Sequence, residues 1–313
     1  MKYLEFVNTL LKDEVAKHDK LVLFGQNISA GSCLGGLTRG LSVRPSSKII
    51  NSTNSENTLC GFGFGMMMNG VSSIFFMKQL DFLLLGIDHL VNTYNIIRNT
   101  KQGNDSSFTI MPIVVDNGYQ GPQSSLNNLP DFCSIARIPG FSITNKWDAE
   151  KIISKELVSP GFRIITVSQR LFKEELLSPE KVHYSNNDNT VFQFSTGKDA
   201  TIVCFNFSFP QGWSLYQELK KNNIDVSIFN VTSAIPAAWN QIIEDVRNSK
   251  KLIIIDDTKS YNLACDAFVT DICGTCDLKK KIIIKRQLSH DWLNPTSDVM
   301  ELDTKHIIHE LAS

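Results

Sequence analysis

Neither sign of charge is in excess in this 313-residue chain, where 31 Lys and Arg stand against 32 Asp and Glu for a formal net charge of −1 at pH 7. Such balance argues against a protein held to nucleic acid mainly by its own basic surface. Long apolar runs are missing as well. None reaches the roughly 18 residues needed to cross a bilayer, and the N-terminus lacks the basic and apolar layout of a secretory signal. A soluble, cytoplasmic protein with no membrane or nucleic-acid partner is expected. The seven cysteines are an odd number scattered through apolar segments, which suits free buried thiols in a reducing compartment. Cys273 and Cys276 form the one close pair. With no second Cys or His pair at ligand spacing, a zinc site is not expected.

What is present alternates between short apolar runs and helical periods. Leu4, Val7, Leu10, Leu11 and Val15 recur at helical spacing, and the period predicts an amphipathic helix over residues 1–20. Leu21-Val22-Leu23-Phe24-Gly25-Gln26 reads as a buried strand running into a turn, and residues 31–44 as a glycine-rich loop near a ligand or subunit contact. Further strands are predicted at 110–115, 139–143 and 162–167, with a helix opening at Trp147 whose first turn carries Asp148 and Glu150 beside the helix dipole. Residues 173–194 are rich in charge, Ser and Asn and read as a linker. A second alternation follows, with strands predicted near 201–205, 226–230 and 252–257 and helices around Trp213 and Ile242. Parallel βαβ units in two α/β domains, 1–172 and 195–313, are expected. The length suits two domains of ordinary size.

Residues 51–92 organise the rest. A polar loop delivers one acid, Glu56, to a segment where Gly61, Gly63 and Gly65 alternate with Phe62, Phe64 and Met66. Glycine at every second position admits a close backbone or a flat ligand. A lone carboxylate entering so apolar a neighbourhood needs a partner, since unpaired burial costs several kcal/mol on the order of the polar-transfer penalty. An apolar slot, an aromatic face and one acid of raised pKa would suit a heteroaromatic base that shares a proton. The plainer alternative is that Glu56 caps a glycine-rich helix and Phe82 fills core. His89 reads as a packed histidine, and Asp88 and Asn92, one helical turn apart, as a structural pair.

Ser55-Glu56 before Gly-x-Gly-x-Gly, then Phe76-Met77, then Asp81-Phe82 six residues ahead of Ile87-Asp88-x-x-Val91-Asn92 resembles the pyrimidine-binding domain of thiamine diphosphate enzymes. The likeness is to the beta subunit of 2-oxo acid dehydrogenase first components and to the second half of transketolase, and it extends through both domains in order. It implies two three-layer α/β domains with parallel sheets, a pyrimidine-binding domain and a transketolase C-terminal-like domain. In that family the glutamate, here Glu56, bonds a ring nitrogen of the aminopyrimidine and favours the imino tautomer that removes the thiazolium proton. Phe82 matches the stacking aromatic and Met77 the residue beside the ring, with Ser55 and Leu85 completing the implied cofactor contacts.

Two departures shape the functional expectation. Where the dehydrogenase subunits carry a histidine after Gly-x-Gln, this chain has Ser124 after Gln123, and a hydroxyl does not take up a proton near neutral pH as imidazole does. Gln123, Ser124 and Lys78 are the candidate substrate-loop residues. The family's Gly-Asp-Gly motif with an Asn about 25 to 30 residues on, which places Mg²⁺ on the diphosphate, is missing. The chain is therefore expected to hold the pyrimidine half of thiamine diphosphate, with Mg²⁺ and the diphosphate on a separate alpha-type subunit in an assembly of two chains of each kind. Three functions remain open. One is a split transketolase-like enzyme passing a ketol or acyl group to a small-molecule acceptor. The others are a 2-oxo acid dehydrogenase beta subunit acting with lipoyl, and a non-catalytic assembly subunit.

Overall fold

A computed structural model describes residues 1–103, 105–116, 126–233, 238–286 and 300–312. The first half opens with helix α1 (Tyr3–Val15), strand β1 (Leu21–Gly25) and strand β2 (Lys48–Asn51). Helix α2 (Glu56–Met68) leads to β3 (Ser72–Met77), α3 (Tyr94–Thr100) and β4 (Ser107–Val114). The half closes with α4 (Leu129–Ala136), β5 (Gly140–Ile143), α5 (Lys146–Glu156) and β6 (Gly161–Ser168). Its six strands run parallel in the order β2-β1-β3-β4-β6-β5. Every residue of β4 is buried, as a parallel strand covered on both faces requires.

Chain direction reverses between β1 and β3, because β2 lies on one side of β1 and β3 to β6 on the other. In such sheets ligands collect outside the carboxyl ends of the strands at that reversal. Both the loop after β1 and the loop after β3 end there. The turn following β1 is strained: Cys33 and Leu34 hold φ of 50° and 53°, a left-handed conformation costing on the order of 1–3 kcal/mol in a residue without glycine's freedom.

The second half contains β7 (Tyr184–Ser185), β8 (Val191–Ser195), β9 (Ala200–Phe205), α6 (Phe209–Lys221), β10 (Val226–Val231), α7 (Asn240–Ser249), β11 (Lys251–Asp256), α8 (Asp266–Thr275), β12 (Lys280–Lys285) and α9 (Thr304–Ala312). Its order is β12-β11-β9-β10-β8-β7. Two features differ from the sequence reading. The sheet is mixed, since β8 runs antiparallel to β10 and β7 antiparallel to β8. β7 and all of β8 except Ser195 fall in residues 173–194, so that segment is not all linker. Its later part turns back as a hairpin whose Val191, Phe192 and Phe194 are buried, and this apolar alternation outweighs the polar Ser-Asn run preceding it.

The second sheet also reverses direction, between β9 and β11, yet the first half fills that crevice with its own side chains. Arg170 Nη2 donates to Asp257 Oδ2 at 2.7 Å and lies 3.6 Å from Asp116 Oδ2, while Arg286 Nη2 lies 3.6 Å from Asp257 Oδ2. Asp116 and Asp257 are fully buried. Asp148 adds a second tie. It lies in the first turn of α5 as expected, but it also accepts from Asn230 Nδ2 of β10 at 3.0 Å, and burial pushes its carboxyl up to about 7.

The alternating glycines of α2 serve two faces. A Cβ on Gly63 would lie 2.3 Å from the Phe108 ring, and one on Gly61 would lie 3.0 Å from His89 Nε2, whereas Gly65 has nothing within 4 Å. A helix turns 100° per residue, so positions 61 and 65 share a face that 63 does not. Gly63→Ala is expected to cost about 1–3 kcal/mol through overpacking against Phe108, read as a lowered urea midpoint. An unchanged midpoint would mean that Phe108 has room to move.

Candidate functional site

Glu56 begins α2, placed by the 52–55 loop that leaves β2 at the carboxyl edge of the first sheet. Its N-cap, Ser55, is extended at φ −165° and donates its hydroxyl to Thr58 Oγ1 at 2.8 Å. Glu56 is half-buried, and among the described residues no hydrogen bond or ion pair engages its carboxylate. A negative charge in the first helical turn is favoured by the unsatisfied N–H groups there. One turn on, the thiol of Cys60 is pushed up to about 12 by burial and then by the charge of Glu56. The thiol stays neutral.

The 3₁₀ turn Leu80–Gly86 packs against this helix start. Asn57 Nδ2 donates to the Leu85 carbonyl at 3.3 Å. Gly86 abuts the helix so closely that an added Cβ would lie 2.5 Å from Cys60 Sγ and 3.5 Å from the Glu56 carbonyl. The turn carries Phe82, half-buried, and Leu85, 63% exposed. Met77, at the end of β3 opposite Pro112, is buried. Leu84 at 55% and Phe62 at 46% are likewise open to solvent. Thus Glu56 and Leu85 share one edge with the turn bearing Phe82, and apolar side chains stand there uncovered by this chain.

Lys78 goes elsewhere. It is exposed and lines a cleft of about 310 Å³ at the β1/β3 reversal with Gln26, Asn27, Gln79, Gln169 and Phe172, and Glu56 is not among the lining residues. Gln123 and Ser124, with the rest of the 118–125 loop, lie outside the described residues. His89 is packed against Gly61 with Nδ1 2.9 Å from Thr93 Oγ1, and Asn92 Nδ2 donates to Asp88 Oδ1 at 2.6 Å. Among the described residues no three His, Cys, Asp or Glu side chains form a metal-ligand group.

One titratable residue of the turn escaped sequence reading. Asp81 precedes Phe82 and is buried, and burial lifts its carboxyl to about 6 although the Leu126 amide and the charge of Lys259 pull it down. Its signal in the sequence is an acid set directly before the apolar run 82–85.

No family model matches the chain. In sequence it is similar to the mitochondrial pyruvate dehydrogenase E1 component subunit beta of Dictyostelium discoideum, 22% identical over 80% of this chain and 72% of that protein. It is similar to the 2-oxoisovalerate dehydrogenase subunit beta of Bacillus subtilis, 22% identical over 87% and 85% of the two chains. The acetoin:2,6-dichlorophenolindophenol oxidoreductase subunit beta of Cupriavidus necator is 20% identical over 83% and 80%. In structure the chain resembles a split gene transketolase solved as an inactive beta4 tetramer, with a TM-score of 0.66 and 13% identity over 98% of this chain and 96% of that one. The structural likeness establishes the two-domain α/β fold.

Proposed function

We propose, for a chain homologous along most of its length to the beta subunits of 2-oxo acid dehydrogenases, that it is the beta-type half of a thiamine diphosphate enzyme. Glu56 would act on the pyrimidine end of the cofactor, and an alpha-type subunit would hold the diphosphate and Mg²⁺. The observation that carries this reading is Glu56 at the start of α2, its carboxylate unpartnered among the described residues, on the edge it shares with the exposed apolar Leu85.

The residues present fit a flat heteroaromatic ring. Phe82 offers a half-buried aromatic face on the turn, Met77 a buried apolar end of β3, and Leu85 an uncovered apolar side chain. When bound, the cofactor supplies the carbanion-stabilising centre for cleaving a carbon–carbon bond. This chain's part is to hold a proton at a carboxyl oxygen of Glu56, to seat the ring against Phe82, and to exclude water once a second subunit covers Leu84 and Leu85.

Transfer of a ketol or acyl group to a small-molecule acceptor is the reaction favoured, on the ground of Ser124 in the substrate loop. The sequence relatives support a second reading, an oxidative 2-oxo acid dehydrogenase subunit. Assay of the two-subunit complex with pyruvate and a dye acceptor, against ketose phosphates and an aldehyde acceptor, separates the two. Carbon transfer to the aldehyde is the expected outcome. Reduction of a lipoyl domain in its place would establish the oxidative reading.

A further inference from the structure

At the β9/β11 reversal, where an α/β sheet would receive a ligand, the C-terminal half instead receives Asn127. This side chain is fully buried. Its Nδ2 donates to the Asp257 carbonyl at 3.0 Å and its Oδ1 accepts from Asn206 Nδ2 at 2.7 Å. Its own carbonyl accepts from the Lys259 amide at 2.9 Å. All three partners belong to the C-terminal half. The preceding residue faces the other way, for the Leu126 amide donates to the carboxylate of Asp81 at the head of the Leu80–Gly86 turn. The Asp81 Oδ2 atom takes no hydrogen bond among the described residues.

We propose that Asp81, Leu126 and Asn127 form a strap through which the C-terminal half sets the position of the Leu80–Gly86 turn, making Asp81 and Asn127 positioning residues for the slot beside Glu56. Two peptide units separate a side chain locked into one domain from a carboxylate that heads the aromatic turn of the other. A shift of the C-terminal half at Asn127 reaches Phe82 through one amide and one acidic side chain. Buried hydrogen bonds resist such shifts, because each one broken exposes a desolvated donor or acceptor. The use assigned to the strap rests on the cofactor-slot reading above, whereas its existence does not.

Hydrogen exchange on the free chain, with no cofactor present, tests the strap by itself. Asn127→Ala removes the bonds to Asp257 and Asn206, and amides of residues 80–86 should exchange about tenfold faster or more. Amides of β1 and β3 should keep their rates, and the urea midpoint read alongside reports global stability. Asp81→Asn keeps an oxygen for the Leu126 amide and should exchange as the wild type does, whereas Asp81→Leu should match Asn127→Ala. Faster exchange confined to residues 126 and 127, exchange rising equally through the whole core, or Asp81→Asn as damaging as Asp81→Leu would each overturn the strap. In the assembled enzyme Asn127→Ala should weaken thiamine diphosphate binding about tenfold with kcat little changed. An altered turn with unaltered cofactor affinity would leave the strap standing and count against the slot reading.

Discussion

Replacing Glu56 by Gln in the assembled enzyme is expected to lower turnover by roughly 10²- to 10⁴-fold, the range typical of losing an acid–base group. The substitution keeps size and shape. Because no hydrogen bond or ion pair among the described residues engages the carboxylate, little structure depends on its charge. Loss of the favourable charge at the helix start should cost about 0.3–1 kcal/mol, and the urea midpoint should fall only slightly. The chemistry differs sharply, since an amide does not exchange a proton with a ring nitrogen as a carboxyl group does. Cys60 offers no substitute, its thiol being held neutral by burial. Steady-state rates near wild type, with circular dichroism unchanged, would remove Glu56 from the role assigned to it.

The largest loss of stability is expected from Asp257→Ala. The buried carboxylate accepts from the Phe207 amide at 2.9 Å and from Arg170 Nη2 at 2.7 Å, with Arg286 Nη2 3.6 Å away. Removing it takes from the Arg170 guanidinium its nearer carboxylate, leaving Asp116 Oδ2 at 3.6 Å as the other acid beside it. Breaking one side of a buried ion pair costs about 3–5 kcal/mol, and equilibrium urea denaturation should show a loss of that size. Replacing the whole cluster by apolar residues would be far less costly, because the desolvation of the charges disappears with them. A loss under about 1 kcal/mol for Asp257→Ala would mean that water already reaches the cluster and that it does not bind the two halves together.

The strands of the first half were legible because burial on both faces writes an unbroken β-branched or aromatic run. The expected strand at 110–115 lies within or next to β4, and the one at 162–167 lies within β6. The second half was readable only as far as β11. Beyond it, Lys280–Lys285 alternates exposed and half-buried residues at the sheet edge, a weak pattern when read without its neighbour. The hairpin of β7 and β8 was hidden by the polar run that joins its strands. At the site, Glu56, Phe82 and Leu85 share an edge with a segment contiguous in sequence, so a local motif could find them. Asp116, Arg170 and Asp257 could not be found that way. Each follows or ends a predicted strand at its carboxyl end, but their pairing joins residues up to 87 positions apart, and only the packing of one sheet against the other creates it. Lys78, adjacent to Met77 in sequence, lines the cleft at the β1/β3 reversal, and Glu56 is not among that cleft's lining residues.

Calorimetric titration with thiamine diphosphate and Mg²⁺ tests most directly whether this chain supplies only the proton-sharing end of the cofactor site. Alone, the chain should give no tight binding. Mixed with a subunit that carries the Gly-Asp-Gly motif, it should bind tightly, with one cofactor for each pair of chains. Tight binding by this chain alone would contradict the account.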